Sequence, residues 1–87
     1  MHAVVVSVTV NDGQAATTYL RDEIVPRVSQ APGFVAGYWV RFESENRGTS
    51  VIVFDSEENA RNAASQFQPP EGVTLESIDV GEVVANA

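Results

Sequence analysis

The chain has no cysteine and no lysine, and only one histidine and one tryptophan among its 87 residues. Without cysteine there is no disulfide, no thiolate metal site and no thiol nucleophile. The lone His2 has no histidine at i+4 and no His-x-Glu neighbour, so no metal site and no resident cofactor is expected. Positive charge is equally scarce: five arginines face twelve Asp and Glu, for a formal net charge of −7. Such a chain has no basic patch with which to displace counterions from a phosphate backbone, which argues against a nucleic-acid partner. No apolar run approaches the ~20 residues that span a bilayer. The first six residues, Met-His-Ala-Val-Val-Val, lack the basic stretch of a signal peptide. The expectation is a cytoplasmic protein with no membrane partner, organised as one domain over residues 1–87. So short a chain buries only somewhat over ~60% of its unfolded surface, and a partner surface would help it.

What is present is strongly patterned. Residues 3–10 form a β-branched run with Val4, Val6, Val8 and Val10 on one face and Val5, Ser7 and Thr9 on the other. Asn11-Asp12-Gly13 ends this strand, and Asp12 is placed to cap a helix over residues 14–30. Ala16, Leu20, Ile24 and Val28 give that helix an apolar stripe. Pro26 predicts a kink, or a helix restarted there. Ala31-Pro32-Gly33 stops it, and residues 34–42 read as an aromatic-rich strand. Its alternation sets Phe34, Ala36, Tyr38, Val40 and Phe42 against Val35, Gly37, Trp39, Arg41 and Glu43. A polar hairpin loop over residues 43–48 returns the chain as an antiparallel strand at 49–55.

Ser56-Glu57-Glu58 opens a second helix with a hydroxyl cap and two carboxylates facing the positive end of its dipole. Its buried side is Ala60, Ala63, Ala64 and Phe67, and Gln68-Pro69-Pro70-Glu71-Gly72 ends it. A last strand runs over residues 73–84, with Gly81 as its expected bulge. The order βαββαβ predicts an α+β, ferredoxin-like fold, with two helices on one face of a four-stranded antiparallel sheet. Yet the strands are apolar on both faces. Val5, Val35, Trp39, Val51 and Val53 would leave several hundred Å² of apolar surface uncovered, and pairing with a second copy removes it.

Pro32 to Arg41, Pro-Gly-Phe-Val-Ala-Gly-Tyr-Trp-Val-Arg, and Val51 to Ala60, Val-Ile-Val-Phe-Asp-Ser-Glu-Glu-Asn-Ala, with the alanine-rich helix that follows, resemble the dimeric α/β barrel superfamily. Within it the chain looks closest to the small antibiotic-biosynthesis-monooxygenase-like proteins. The resemblance implies a homodimer whose two sheets pack face to face into a barrel, often around a ligand cavity. It implies no single activity. The monooxygenase branch acts on polycyclic aromatic substrates without metal or flavin. A haem-degrading branch uses an Asn, a Trp and a His, but Asn11, Trp39 and His2 do not fall in that order along this chain, so neither catalytic set is carried over.

The candidate ligand-binding residues are Trp39, Arg41, Asn11, Tyr38 and His2. Trp39 and Arg41 are two apart on a strand and share a face, which the reading assigns to the dimer-side interior. Together they suit an aromatic or carboxylated ligand through stacking and charge-assisted hydrogen bonds. The plainer alternative is that Trp39 fills the dimer core while Arg41 pairs with Glu43, Glu76 or Glu82. His2 has the pKa range of a general base, but a residue so near a terminus more often lies at an exposed strand end. Tyr19 and Tyr38 suit packing, and capping accounts for Asp12. The resulting expectation is a homodimer that binds a small hydrophobic or aromatic molecule between its sheets. The alternative is a cofactor-independent monooxygenase of the antibiotic-biosynthesis type.

Overall fold

β1 (His2–Val10) is the strand on which the fold is built, because it is hydrogen-bonded on both sides. The computed structural model of the chain describes residues 1–42, 46–69 and 72–87. β1 is followed by α1 (Gly13–Tyr19), a π-helical turn (Leu20–Ile24) and α2 (Val25–Val28). Then come β2 (Phe34–Phe42), β3 (Arg47–Phe54), α3 (Glu57–Ser65) and β4 (Val73–Glu82). All three pairings are antiparallel, and the strand order is β2-β3-β1-β4. This is the ferredoxin-like α+β arrangement that the element order predicts.

The predicted caps form. The Asp12 carboxylate accepts from the Ala15 N–H, and the Ser56 hydroxyl accepts from the Asn59 N–H. The restart expected at Pro26 takes a specific form. Proline has no N–H for the preceding turn and its ring presses on the carbonyl four residues back. One extra residue accommodates it: the Val25 N–H bonds the Leu20 carbonyl, five residues back, and Pro26 then sits in the first turn of α2.

The core lies on the helix side. Val4, Val6, Ile52, Phe54 and Ala60 are buried together, and the Phe34 ring meets Phe54 edge-on at 6.4 Å. Small residues at Ala60, Ala63 and Ala64 let α3 pack closely on β1, β3 and β4. The first helical segment carries Tyr19, Leu20 and Ile24 instead and stands further off the sheet, with Ala16 its one buried residue.

Three expectations are corrected. In β2 the register shifts between Phe34 and Ala36, so Phe34 points to the helices while Ala36, Tyr38, Val40 and Phe42 point away from them. The bulge in β4 is at Glu76, where the pairing steps from Ser77 to Leu75, and Gly81 pairs regularly with Ala3. β3 starts at Arg47 rather than at 49, and β4 stops at Glu82 rather than at 84. Residues 43–45 of the expected hairpin loop and Pro70-Glu71 of the expected helix stop lie outside the described residues.

The turn into β2 needs its glycine. Gly33 has φ +78°, and a Cβ there would collide with the side chains of Asp55 and Asn59, which hydrogen-bond each other at 2.9 Å. Gly33→Ala is expected to lower stability by about 2 kcal/mol, the left-handed backbone cost plus the disturbed hydrogen bond. A urea unfolding curve with unchanged m-value checks this.

Candidate functional site

The stand-off of the first helical segment leaves a cavity of about 260 Å³ between it and the sheet. Val6, Val8 and Val10 of β1 make its floor, Ala16, Leu20 and Ile24 its roof, and Phe67 and Val73 close its sides. Trp39 and Arg41 of β2 and Gly48 and Ser50 of β3 complete it. Cross-strand pairing explains the grouping: Trp39 lies opposite Ser50 and Arg41 opposite Gly48, and directly paired residues share a face.

Trp39 and Arg41 therefore do share a face, but it is the one covered by the helices and not the open one expected to meet a second copy. Trp39 packs against the core cluster. Its indole lies over Gly37, where a Cβ would come within 2.8 Å of the ring. The Arg41 guanidinium reaches the start of α1 and lies against Gly13, where a Cβ would be 2.8 Å from Nη1. Gly48, opposite Arg41, is buried, and a Cβ there would come within 3.1 Å of the Val40 carbonyl oxygen.

The polar groups of the cavity divide into occupied and free. Thr17 gives its hydroxyl proton to the Gly13 carbonyl at 2.8 Å, while Thr49, paired with Val40 and so turned to the other face, gives its own to the Val6 carbonyl at 3.1 Å. Among the described residues, the Ser50 hydroxyl and the Trp39 indole N–H make no hydrogen bond and Arg41 has no carboxylate partner. Of the partners expected for Arg41, Glu76 accepts from Thr9 at 2.6 Å, Glu82 is paired across from His2 at the far end of β1, and Glu43 lies outside the described residues. The slot is apolar over most of its lining and presents three donors, one of them cationic, that have no partner among the described residues.

The other candidates are not brought to this slot. Tyr38 is 66% exposed on the opposite face of the sheet. The Asn11 side chain donates to Thr74 Oγ1 at 3.0 Å, tying the end of β1 to the start of β4. His2 is at the other end of β1, with Nε2 3.8 Å from a Glu57 carboxylate oxygen and Nδ1 buried without a hydrogen bond. No group of His, Asp and Glu among the described residues is arranged to hold a metal, and no helix among them is long and apolar enough to cross a membrane. Ser50, Gly48 and Phe67 are the members that reading the sequence missed. For Ser50 and Gly48 the signal was the hairpin: starting β3 two residues earlier sets both opposite the Trp39-Arg41 pair.

No family model matches the chain, and no curated protein matches it. Among solved structures, a dimeric ferredoxin-like protein from an uncultured marine organism is similar over 100% of this chain and 98% of its own. The TM-score is 0.58 and the identity 13%, so the likeness shows the fold alone.

Because Trp39 is the chain's only tryptophan, its emission reports on the cavity. Gly37→Ala is expected to push the indole off the strand and shift its emission to the red, with the far-ultraviolet circular dichroism unchanged. An unshifted spectrum would show that the ring does not rest on Gly37.

Proposed function

We propose that the protein binds a small, largely apolar or aromatic molecule carrying one acidic group, and that it does so as a homodimer. The observation that carries the ligand reading is the set of free donors, Arg41, Ser50 and the Trp39 N–H, on the wall of an otherwise apolar cavity. The site in this reading is within one chain, under its first helical segment, rather than between two sheets. The described lining contributes hydroxyls and a guanidinium but no carboxylate, imidazole or phenol. That supports binding over the proton abstraction with which a cofactor-independent monooxygenase would begin.

The dimer reading rests on the opposite face. Val5, Tyr38, Val40 and Phe42 are exposed there, beside the partly buried Val51 and Val53. These side chains make an apolar patch across β2 and the middle of β3 and β1, bordered by Ser7, Thr49, Ser77 and Asp79, and a second copy of the same face would cover it isologously. The dimeric ferredoxin-like neighbour, similar over the full length of the chain, supports this reading.

Naphthalene-2-carboxylate, titrated against Trp39 emission, is expected to bind, with the uncharged 2-methylnaphthalene weaker. Arg41→Ala should weaken the carboxylate about 10- to 100-fold, the worth of a charge-assisted hydrogen bond, and leave the uncharged ring unchanged. Equal losses for both ligands, or no binding, would overturn the ligand reading. Separately, light scattering is expected to give the mass of two chains, and Tyr38→Glu the mass of one. Tyr38 is too exposed in the single chain for its replacement to unfold it. A wild-type mass of one chain would overturn the dimer.

A further inference from the structure

Beyond the first cavity lies a second, of about 250 Å³, beneath the same helical segment. Val6, Ile24 and Phe67 line both, so the two chambers share one apolar partition. Each chamber has its own arginine: Arg41 borders the first and not the second, Arg27 the second and not the first. Neither has a carboxylate partner among the described residues, although Asp and Glu outnumber Arg twelve to five in the chain. By contrast Arg61 pairs with Glu57 at 3.3 Å. The separation of the two cations follows from the helix. Arg41 rests against Gly13 at the start of the first helical segment, and Arg27 lies fourteen residues further along it, near its end.

We propose that the two chambers form one elongated site for an α,ω-diacid or a similar two-headed molecule, with an anionic group at Arg41, a second at Arg27 and an apolar body passing Phe67. This deepens the ligand reading above and rests on it. An apolar chain replaces water along valine, isoleucine and phenylalanine walls, while each end meets a guanidinium able to hold a carboxylate in two hydrogen bonds. Gln66 and Gln68, which line the second chamber only, add neutral donors at that end. The partition is made of side chains, Phe67 and Ile24 each only partly buried, so it yields by a change of rotamer rather than by moving a helix.

The test is displacement of naphthalene-2-carboxylate, followed by Trp39 emission, by octanedioate, dodecanedioate, hexadecanedioate and the one-headed hexadecanoate. Affinity is expected to rise with length among the diacids, and hexadecanedioate to bind at least tenfold tighter than hexadecanoate. Arg27→Gln should erase that tenfold advantage while binding naphthalene-2-carboxylate within twofold of the wild type. Because Arg27 is exposed, its replacement leaves the packing intact. If naphthoate binds but the diacids show no length dependence, or Arg27→Gln leaves hexadecanedioate unchanged, the two-chamber site is overturned and the one-chamber reading stands. If naphthoate itself does not bind, the ligand reading falls and this inference with it.

Discussion

The unequal closeness of the two helical layers is the constraint from which the rest of this molecule follows. Ala60 is completely buried, and with Ala63 and Ala64 it gives α3 a side thin enough to close down on β1 and its neighbours. Val6 and Phe54, clustered with it, are the largest fully buried side chains among the described residues, and α3 covers that half of the sheet. The first helical segment meets the other half with longer side chains and a π-helical turn forced by Pro26, and it cannot follow the sheet as closely. A four-stranded sheet with two helices on one face has no third element to fill the difference. Space remains, and the space is where Trp39 and Arg41 point.

Much of the architecture was legible in the residues because the local signals agree with one another. The β-branched run of β1, the Asp12 and Ser56 caps, the Gly33 turn and the alanine side of α3 each specify an element and its end, and the structure has them. The faces of β2 were not legible. Alternation separates residues into two sets but does not say which set the chain's own helices cover, and in β2 the more apolar set, Ala36, Tyr38, Val40 and Phe42, is the one left open. The bulge after Phe34 then moves that ring alone to the core, a step that no periodicity announces. For β4 glycine was a poor guide. Gly81 pairs in register, while the irregularity falls at Glu76, whose carboxylate takes the Thr9 hydroxyl instead of Arg41.

That misreading of faces decides where a ligand would sit. Had Trp39 and Arg41 faced a second sheet, the site would exist only in the dimer and any loss of pairing would abolish binding. Placed under the helices, they form a cavity whose lining comes from one chain, and the open apolar face is left free to serve association alone. On the proposed reading, assembly and binding draw on opposite faces of the same four strands. β1 and β3 run through both, with Val4, Val6 and Ile52 on the helix side and Val5, Val51 and Val53 on the other. Substitutions on the two faces are separable in principle because each strand residue commits to only one.

The charge balance sharpens the chemistry of the cavity. A chain of net charge −7 repels anions at a distance, so an anionic ligand gains nothing from long-range steering. At physiological salt that repulsion is screened beyond ~8 Å, whereas a guanidinium at the edge of an apolar cavity acts at contact, where salt screens it less. Several carboxylates act elsewhere: at the helix N-terminus of α3, against Arg61, against Thr9 and at the Asp12 cap. The arginines bordering the two chambers are left without such partners among the described residues. In the proposed site, acidic surroundings with local cationic contacts would discriminate against adventitious anions, because only a molecule with enough apolar body to enter the slot would reach the charge that holds it.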